Sequence, residues 1–364
     1  MTDAAATAPR PNVLEVAGLT KHFPVGGGLF GRKKGVVQAV SDVSFAVAAG
    51  ETLAIVGESG CGKSTTGRAL LRLLEPSAGS VRLDGEEVTD LPPHRLQALR
   101  RNMQMVFQDP FGSLNPRMTV RETLMEPLLL HGVAHGDQAR QVTARLLETV
   151  GLAAHHADRY PHEFSGGQRQ RICIARAIAT RPRLIVCDEP VSALDVSVQA
   201  QIVNLLQDLQ REFGMAYVFI SHDLSVVRHI ADRVAVMYLG RIVEEAPSAT
   251  LFADPRHPYT RALIEAAPRP VPGLRTATEP PEGEAPSALD PGPGCAFAPR
   301  CPLATDLCRT TRPELQATGP QARVACHHAE TRAEMVFPPA PAQSPQLTAR
   351  LAIMARARAA QSAA

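Results

Sequence analysis

The stretch GESGCGKST, at positions 57–65, constrains the fold of this chain more than any other. It fits the pattern G-x-x-x-x-G-K-S/T, with the apolar run TLAIV before it and a helical pattern after it. Glycines allow backbone N–H groups to curl around phosphate oxygens, and the following helix adds its positive N-terminus. A chance glycine-rich turn would lack this context, so the sequence predicts a phosphate-binding loop. The loop residues expected to bind nucleotide are Gly57, Ser59, Gly60, Gly62, Lys63, Ser64 and Thr65.

A second apolar run, RLIVCDEP at 183–190, predicts the other half of the phosphate site. Its apolar residues indicate a buried strand, with Asp188 at the carboxyl end. There Asp188 is expected to hold Mg²⁺ together with the Ser64 hydroxyl, while Lys63 reaches the β- and γ-phosphates. Glu189 is placed to polarise an attacking water, which indicates hydrolysis rather than binding alone. A salt bridge at the strand end is the alternative role for Glu189.

The composition of the whole chain fits a globular protein. Its 364 residues suffice for one large domain and a smaller one, and 45% of them are hydrophobic. The net charge of +2 gives no strong field that would favour nucleic acid or an anionic membrane. The sequence contains no apolar run of about 18 residues, and its first residues lack the features of a secretory signal. A cytosolic location is therefore expected.

Apolar runs alternate with helical patterns along most of the chain. The runs at 13–19, 52–57, 183–190 and 216–223 are typical of buried strands, and the pattern at 198–213 is typical of a helix. Alternation of this kind predicts an α/β domain with a largely parallel sheet.

Changes of composition predict four regions. Residues 1–267 form a nucleotide-binding domain that contains a helical subdomain at about 110–182. Residues 268–294 are rich in proline and glycine and form a linker. A small cysteine-containing extension follows at 295–330, and residues 331–364 are expected to be a disordered tail.

The stretch FSGGQRQR, at 164–171, connects the two halves of the phosphate site to a known family. With it, the chain resembles the ATP-binding cassette (ABC) ATPases, which have a P-loop NTPase-type α/β fold and a helical subdomain. The one departure is Phe164, where the family signature commonly has Leu, and both side chains are apolar. The matching motifs, in the family's order, are the phosphate loop at 57–65, Gln108 in MVFQDP, SGGQ at 165–168, the DE pair at 188–189, SALD at 192–195 and His222 in ISHD.

The resemblance implies that two cassettes pair head to tail, with ATP between the phosphate loop of one and the signature of the other. A helix that begins at SGGQ offers an anion site that one chain alone does not complete. The signature residues expected to bind nucleotide are Ser165, Gly166, Gly167 and Gln168.

Further roles follow from the same resemblance. Gln108 would contact Mg²⁺ or water, His222 would hold the γ-phosphate, and Asp195 would cross the dimer interface. Phe23 is the candidate to stack on adenine, and a core aromatic at a strand end is its alternative role. Catalytic roles are thus expected for Lys63, Gln108, Glu189 and His222.

Three more stretches narrow the resemblance. QDPFGSLNPRMTV (108–120) and HPYTRALIEAAP (257–268) look like the ATPases of peptide and nickel importers, and HFPVGGGLFGRKK resembles the dipeptide and oligopeptide branch. This implies an ATPase at the cytoplasmic face of the membrane that energises peptide import. Its partners would be a second cassette, two membrane permeases and, indirectly, an external peptide-binding protein. The alternatives are another substrate such as nickel, or an ABC ATPase of nucleic-acid or ribosome biology, which the near-neutral charge disfavours.

Four of the seven cysteines lie near the end of the chain, with the spacing C-x5-C-x6-C-x17-C. Disulfides are rare in the cytosol, and structural zinc sites usually contain shorter C-x2–4-C pairs. A 4Fe-4S cluster takes four thiolates, and some peptide-importer ATPases that the chain resembles carry one. We therefore expect a 4Fe-4S cluster, with zinc or no metal as alternatives, at Cys295, Cys301, Cys308 and Cys326. The metal would supply folding energy, and the linker would keep this segment apart from Lys63 and Glu189.

Overall fold

The computed structural model describes residues 10–25, 35–267, 289 and 291–331. The stretch 26–34, most of the predicted linker and the predicted tail from residue 332 lie outside the described residues. The strands are β1 (Asn12–Val25), β2 (Gly35–Ala48), β3 (Thr52–Val56), β4 (Ala78–Leu83), β5 (Glu86–Glu87), β6 (Met103–Val106), β7 (Leu184–Asp188), β8 (Ala216–Ser221), β9 (Arg233–Tyr238), β10 (Arg241–Pro247), β11 (Gln316–Gly319) and β12 (Ala322–Val324). The helices are α1 (Lys63–Leu70), α2 (Pro93–Leu99), α3 (Pro110–Ser113), α4 (Val120–Leu130), α5 (Gly136–Thr149), α6 (Gly166–Ile178), α7 (Val196–Phe213), α8 (Leu224–Ile230), α9 (Ser248–Ala253), α10 (Pro258–Ala266) and α11 (Asp306–Thr310).

The main sheet has the strand order β11-β12-β10-β9-β3-β8-β7-β6. The strands from β9 through β3, β8 and β7 to β6 are parallel, whereas β10, β12 and β11 pair antiparallel. Every residue of β3, β7 and β8 is buried, as expected for strands covered on both faces. The α/β class predicted from the sequence is confirmed, and the carboxyl ends of β3, β6, β7 and β8 share one edge.

A second sheet, with the order β2-β1-β4-β5, is antiparallel throughout. The sequence pattern predicts the strand at 13–19 but not this separate sheet, so the expectation of a largely parallel architecture is incomplete. Along β1, Leu14 and Val16 are buried while Glu15 and Ala17 are exposed. A strand with one buried face alternates in this way, which distinguishes it from the fully buried strands of the main sheet.

The stretch predicted to be helical contains α3, α4, α5 and α6. Helix α4 begins with a capping box, in which Thr119 Oγ1 accepts from Glu122 N at 3.2 Å and Thr119 N donates to Glu122 Oε2 at 2.7 Å. Phe164, the departure from the family signature, is only 4% exposed, and its ring centroid lies 5.5 Å from that of His156. The larger aromatic side chain therefore fits into the core beside the start of α6.

The extension at 291–331 packs on the nucleotide-binding domain. Strand β12 pairs with β10, and Phe297 is 1% exposed, with its ring centroid 5.4 Å from that of Tyr259. Burial of one such side chain contributes about 1.5–3 kcal/mol, so the segment has sources of stability besides a metal. The expectation that the linker keeps the extension apart from Lys63 is wrong, because Arg300 lies 3.0 Å from Glu58, whose carbonyl oxygen accepts from Lys63 Nζ at 2.8 Å.

Candidate nucleotide site

The phosphate loop connects the end of β3 to the start of α1. Gly62, the N-cap of α1, has a φ of 105°, and a Cβ there would lie 2.0 Å from the carbonyl oxygen of Ala39. At Gly57 a Cβ would lie 2.2 Å from the carbonyl oxygen of Met237. Only glycine fits at these two positions, because neighbouring main chain approaches both ends of the loop.

The Lys63 side chain folds back over the loop. Its Nζ donates to the carbonyl oxygens of Gly57 and Glu58, both at 2.8 Å, and the residue is 4% exposed. The ammonium group is thus held inside the curve of the loop, where an incoming phosphate would meet it.

Ser64 and Asp188 meet although they are far apart in sequence. Ser64 Oγ donates to Asp188 Oδ1 at 2.7 Å. The other carboxylate oxygen, Asp188 Oδ2, is buried and has no hydrogen-bond partner in the described part of the chain. Burial raises the pKa of Asp188, and the Ser64 hydrogen bond partly offsets this effect. A buried carboxylate oxygen without a partner costs free energy unless a cation or donor satisfies it.

Two other residues predicted to be catalytic contact the carboxylate of Glu189. Gln108 Nε2 donates to Glu189 Oε2 at 2.9 Å, and His222 Nδ1 lies 3.2 Å from the same oxygen. The three side chains follow β6, β7 and β8, whose carboxyl ends meet at one edge of the sheet. Glu189 has a φ of 46°, a region that costs a non-glycine residue about 1 kcal/mol or more, and its N–H donates to the carbonyl of Ile220 at 3.0 Å. The main chain therefore fixes this carboxylate at the mouth of the site.

A cleft of about 390 Å³ joins these groups. Gly57, the first residue of the loop, is buried and does not line the cleft. The residues that line the cleft are Val37, Gln38, Ala39, Ser59, Gly60, Cys61, Gly62, Lys63, Ser64, Thr65, Gln108, Glu189, His222, Leu239 and Gly240.

Two walls of the cleft were not predicted from the sequence. One is the strand segment 37–39 of β2, and the other is the turn at Leu239 and Gly240 between β9 and β10. Gly240 N donates to the carbonyl of Cys61 at 2.8 Å, and its own carbonyl accepts from Ser41 N at 2.8 Å. A glycine between the apolar runs RVAVMY and RIVEEA is a hairpin signal, but nothing local indicates that this turn faces the phosphate loop.

Phe23 is half-buried in β1, opposite Val37 of β2, and Lys21 Nζ lies 5.1 Å from its ring centroid. Val37 lines the cleft, whereas Phe23 does not. The structure therefore places Phe23 next to a wall of the cleft, and its stacking on adenine stays a prediction.

The signature residues lie away from the cleft. Ser165 caps α6: its Oγ accepts from Gln168 N at 3.3 Å, and Gln168 Oε1 accepts from Ser165 N at 3.0 Å. Ser165, Gly166 and Asp195 are exposed. A Cβ at Gly167 would lie 2.5 Å from Val198 Cγ1, so this glycine also permits α6 to pack against α7. The chain thus presents the phosphate loop and the signature as two separate surfaces.

The cysteines of the extension share one neighbourhood. Cys295 N donates to the carbonyl of Cys308 at 2.7 Å. Thr305 Oγ1 lies 3.5 Å from Cys308 Sγ and 3.1 Å from His328 Nε2, and His328 N donates to Cys326 Sγ at 3.4 Å. Burial raises the pKa of the Cys326 thiol to about 11, and the nearby charges of Cys295, Cys301 and Cys308 raise it as well. Among the described residues, no group of three or more Cys, His, Asp or Glu side chains is placed to hold a metal ion.

Two family models match the chain. The one described as ABC transporter matches residues 40–192, and the one described as oligopeptide/dipeptide transporter, C-terminal region, matches residues 243–308. The chain is 56% identical to the probable peptide ABC transporter ATP-binding protein y4tS of Sinorhizobium fredii. That alignment spans 315 residues and covers 86% of this chain and 89% of the relative. The chain is also 50% identical to the oligopeptide transport ATP-binding protein AppF of Bacillus subtilis, over 323 residues that cover 88% of this chain and 98% of AppF.

A solved structure agrees with these matches. The dimeric post-hydrolysis state of the ATP-binding cassette MJ0796, bound to ADP and Pi, is similar with a TM-score of 0.58 at 31% identity, covering 65% of this chain and 98% of that one. The fold and the cleft therefore define an ATP-hydrolysing cassette of the P-loop type. The chain belongs to the ABC transporter ATPases, in the family that carries the oligopeptide/dipeptide transporter C-terminal region. None of the described helices has the length and hydropathy to cross a membrane.

Proposed function

We propose that this chain is the ATP-hydrolysing subunit that energises the import of dipeptides and oligopeptides through a membrane ABC transporter. The observation that carries the proposal is the meeting of Gln108, Glu189 and His222 at the cleft of the phosphate loop. The match of residues 243–308 to the oligopeptide/dipeptide transporter region supports the substrate class, as do the names of the two relatives.

Mg²⁺ and ATP fit the side chains of the cleft. Asp188 Oδ2, which has no hydrogen-bond partner among the described residues, lies in the same carboxylate that contacts the Ser64 hydroxyl. Mg²⁺ prefers such oxygen ligands, and Gln108 would contact the ion directly or through water. When bound, Mg²⁺ would neutralise charge on the β- and γ-phosphates. Lys63 would exchange its contacts with the loop carbonyls for the same phosphates.

Glu189 is the residue that we assign to the attacking water. A carboxylate in this position accepts a proton from water as the water approaches the γ-phosphate. Gln108 and His222 both contact Oε2 of the carboxylate, and His222, whose side chain is 55% exposed, would turn toward the γ-phosphate when nucleotide binds. This division of roles keeps the base oriented while the histidine responds to nucleotide.

A second cassette, identical or homologous, would complete the nucleotide site. On one chain, Ser165 and Gly166 at the start of α6 are exposed and do not line the cleft. Their helix N-terminus would meet the phosphates bound by the partner, and Asp195 would lie in the interface. The dimeric arrangement of MJ0796 supports this assembly.

The membrane partners would dock beside the helical stretch. A groove of about 340 Å³ lies between the end of β6 and α4, and Ser113 of α3 lines it. Leu73 and Leu130 in its wall are 47% and 62% exposed. Exposed apolar side chains around a groove are typical of protein contacts, and we assign this groove to one permease subunit at the cytoplasmic face of the membrane, with the second permease on the second cassette.

Affinity purification tests the partner assignment. The tagged full-length chain, extracted with mild detergent, is expected to recover two integral-membrane proteins. L130D should lower this recovery about tenfold, because a charge in an apolar contact is strongly unfavourable. L307D, at a residue that is 51% exposed in the extension, is the control. Recovery of ribosomes or DNA without membrane proteins would show that the transporter assignment is wrong.

Uptake assays distinguish peptides from nickel as the transported substrate. In a strain that lacks this chain, uptake of a labelled tripeptide is expected to fall, and uptake of labelled Ni²⁺ is expected to stay unchanged. The wild-type gene should restore tripeptide uptake and E189Q should not, because it lacks the hydrolytic carboxylate. Loss of Ni²⁺ uptake alone would overturn the peptide assignment.

We also infer that the extension holds a 4Fe-4S cluster. The number and spacing of Cys295, Cys301, Cys308 and Cys326 support it. The main chains of Cys295 and Cys308 are hydrogen-bonded and Thr305 connects Cys308 to His328, but the thiols of the described residues are not gathered into a metal site, so the cluster would require them to move together. A backbone N–H directed at a sulfur, as His328 N is at Cys326, is a feature that tunes iron–sulfur clusters. When present, the cluster would link the turns of the extension to one another.

Anaerobic purification tests the cluster. The protein is expected to be brown and to contain about four irons per chain, as a cubane requires. C308S should lose the colour and the iron, whereas C173A, at a buried thiol of α6, should keep both. Colourless wild-type protein that contains zinc or no metal would refute the cluster without affecting the nucleotide site.

A further inference from the structure

In the part of the extension that the structure describes, Arg300 contacts the phosphate loop. The 3₁₀ turn Ala298–Arg300 follows Phe297, which is buried against Tyr259. From this turn the Arg300 guanidinium donates to both carboxylate oxygens of Glu58, at 3.1 and 3.0 Å. The Arg300 side chain is only 11% exposed, so this is a partly buried, two-pronged ion pair rather than a mobile surface contact.

Glu58 follows the first glycine of the phosphate loop, and three groups hold it. Its N–H donates to Tyr259 Oη at 2.8 Å, its carbonyl accepts from Lys63 Nζ at 2.8 Å, and its carboxylate pairs with Arg300. The next residue, Ser59, lines the nucleotide cleft. The main chain that leads into the cleft is therefore held by α10, α1 and the extension together.

The charge of Glu58 opposes the binding of a triphosphate. A carboxylate in the loop repels the phosphates, and solvent ions screen partly buried charges weakly. Arg300 neutralises this charge through a planar guanidinium that binds both carboxylate oxygens, a bidentate geometry that the lysine ammonium does not provide. Hydrogen bonding to Glu58 raises the pKa of the Arg300 guanidinium above its ordinary value, which reflects how strongly the two groups interact.

We propose that Arg300 is a positioning residue for ATP: by neutralising and holding Glu58, the extension sets the affinity of the phosphate loop for nucleotide. The inference rests on the proposed function of the cleft as the nucleotide site. It gives the extension a role in ATP binding that requires no chemistry at its cysteines. Because Arg300 directly precedes Cys301, a rearrangement of the cysteine segment would also reach the phosphate loop through this pair.

Steady-state ATPase kinetics of the full-length chain test the proposal. R300M keeps most of the side-chain volume and removes the charge, and we expect the KM for ATP to rise about fivefold to tenfold with kcat within about twofold of wild type. R300K restores the charge without the fork and should give an intermediate KM. R309M is the matched control, because Arg309 forms a surface pair with Asp306 in the same extension.

A double-mutant cycle with E58Q determines whether the two residues act as a unit. If Arg300 acts through Glu58, the double variant E58Q/R300M will bind ATP at least as tightly as R300M, because the uncompensated carboxylate is gone. Strictly additive losses, or an unchanged KM in both R300M and R300K, would overturn the proposal. Thermal melting checks that each variant is folded. If R300M does not fold, the KM of R300K decides the outcome. A wild-type chain without ATP turnover would instead overturn the proposed function, and this inference with it.

Discussion

Replacement of Glu189 by Gln is expected to lower ATP hydrolysis by about 10²-fold or more and to leave ATP binding intact. Gln108 Nε2 and His222 Nδ1 both contact Glu189 Oε2, at 2.9 and 3.2 Å, and an amide oxygen in that position can accept both contacts. The variant loses only the ability to take a proton from water. Because Asp188 and Ser64 are unchanged, the ATP-bound pair of cassettes should accumulate.

Three measurements on purified E189Q check this expectation. The ATPase rate should fall, and the affinity for a fluorescent ATP analogue should stay within about twofold of wild type. Size-exclusion chromatography with ATP should show a stable dimer, formed by two copies of the chain or by the chain and its homologous cassette. E148Q, at an exposed position of α5, is the matched control and should behave like wild type. Near-normal turnover by E189Q would show that another group activates the water.

Replacement of Gly62 by Ala is expected to lower kcat/KM for ATP by about 10²-fold or more, through loss of nucleotide binding. The new Cβ would lie 2.0 Å from the carbonyl oxygen of Ala39, and the φ of 105° is unfavourable for alanine. Both ends of the loop are fixed by neighbouring main chain, so the loop cannot move aside without losing its curve around the phosphates.

The control for this variant is Gly85, in the turn between β4 and β5. It has a φ of 80°, and a Cβ there would meet no described heavy atom within 4 Å. Alanine at this positive φ costs about 1 kcal/mol of conformational free energy, but G85A creates no steric clash. We therefore expect its melting temperature to fall by a few degrees and its affinity for ATP to stay unchanged. If G62A bound ATP as tightly as wild type, the strand segment around Ala39 would have moved to make room for the new methyl group, and the prediction would be wrong.

The chemistry of the cleft could be predicted because each part is a local pattern. A glycine-rich turn between strand and helix, and an acidic pair at the end of an apolar run, are readable within ten residues or so. The resemblance to a known family added Gln108 and His222, and the structure brings both to the Glu189 carboxylate. These residues meet because parallel strands end at one edge of the sheet, which the alternation of strands and helices already implied.

The walls of the cleft could not be predicted in this way. The strand segment 37–39 and the turn at Leu239 reach the phosphate loop only because β2 and the β9–β10 hairpin pack on it. The resemblance predicts that Phe23 stacks on adenine. In the structure Phe23 lies in β1 opposite Val37, which lines the cleft, and its contact with adenine stays a prediction. Nothing in a strand's own residues specifies which surface will lie against its side chains.

The α/β class, the phosphate loop and the acidic pair at Asp188 and Glu189 could be predicted from local patterns, since they depend on short-range periodicity and on the chemistry of the side chains. The antiparallel second sheet and the contact of the extension with the phosphate loop through Arg300 and Glu58 became visible in the folded chain alone. Those two residues are 242 positions apart, and their contact depends on the burial of Phe297 and the pairing of β12 with β10. Long-range packing of this kind is selected by the free energy of the whole fold, and no local pattern encodes it.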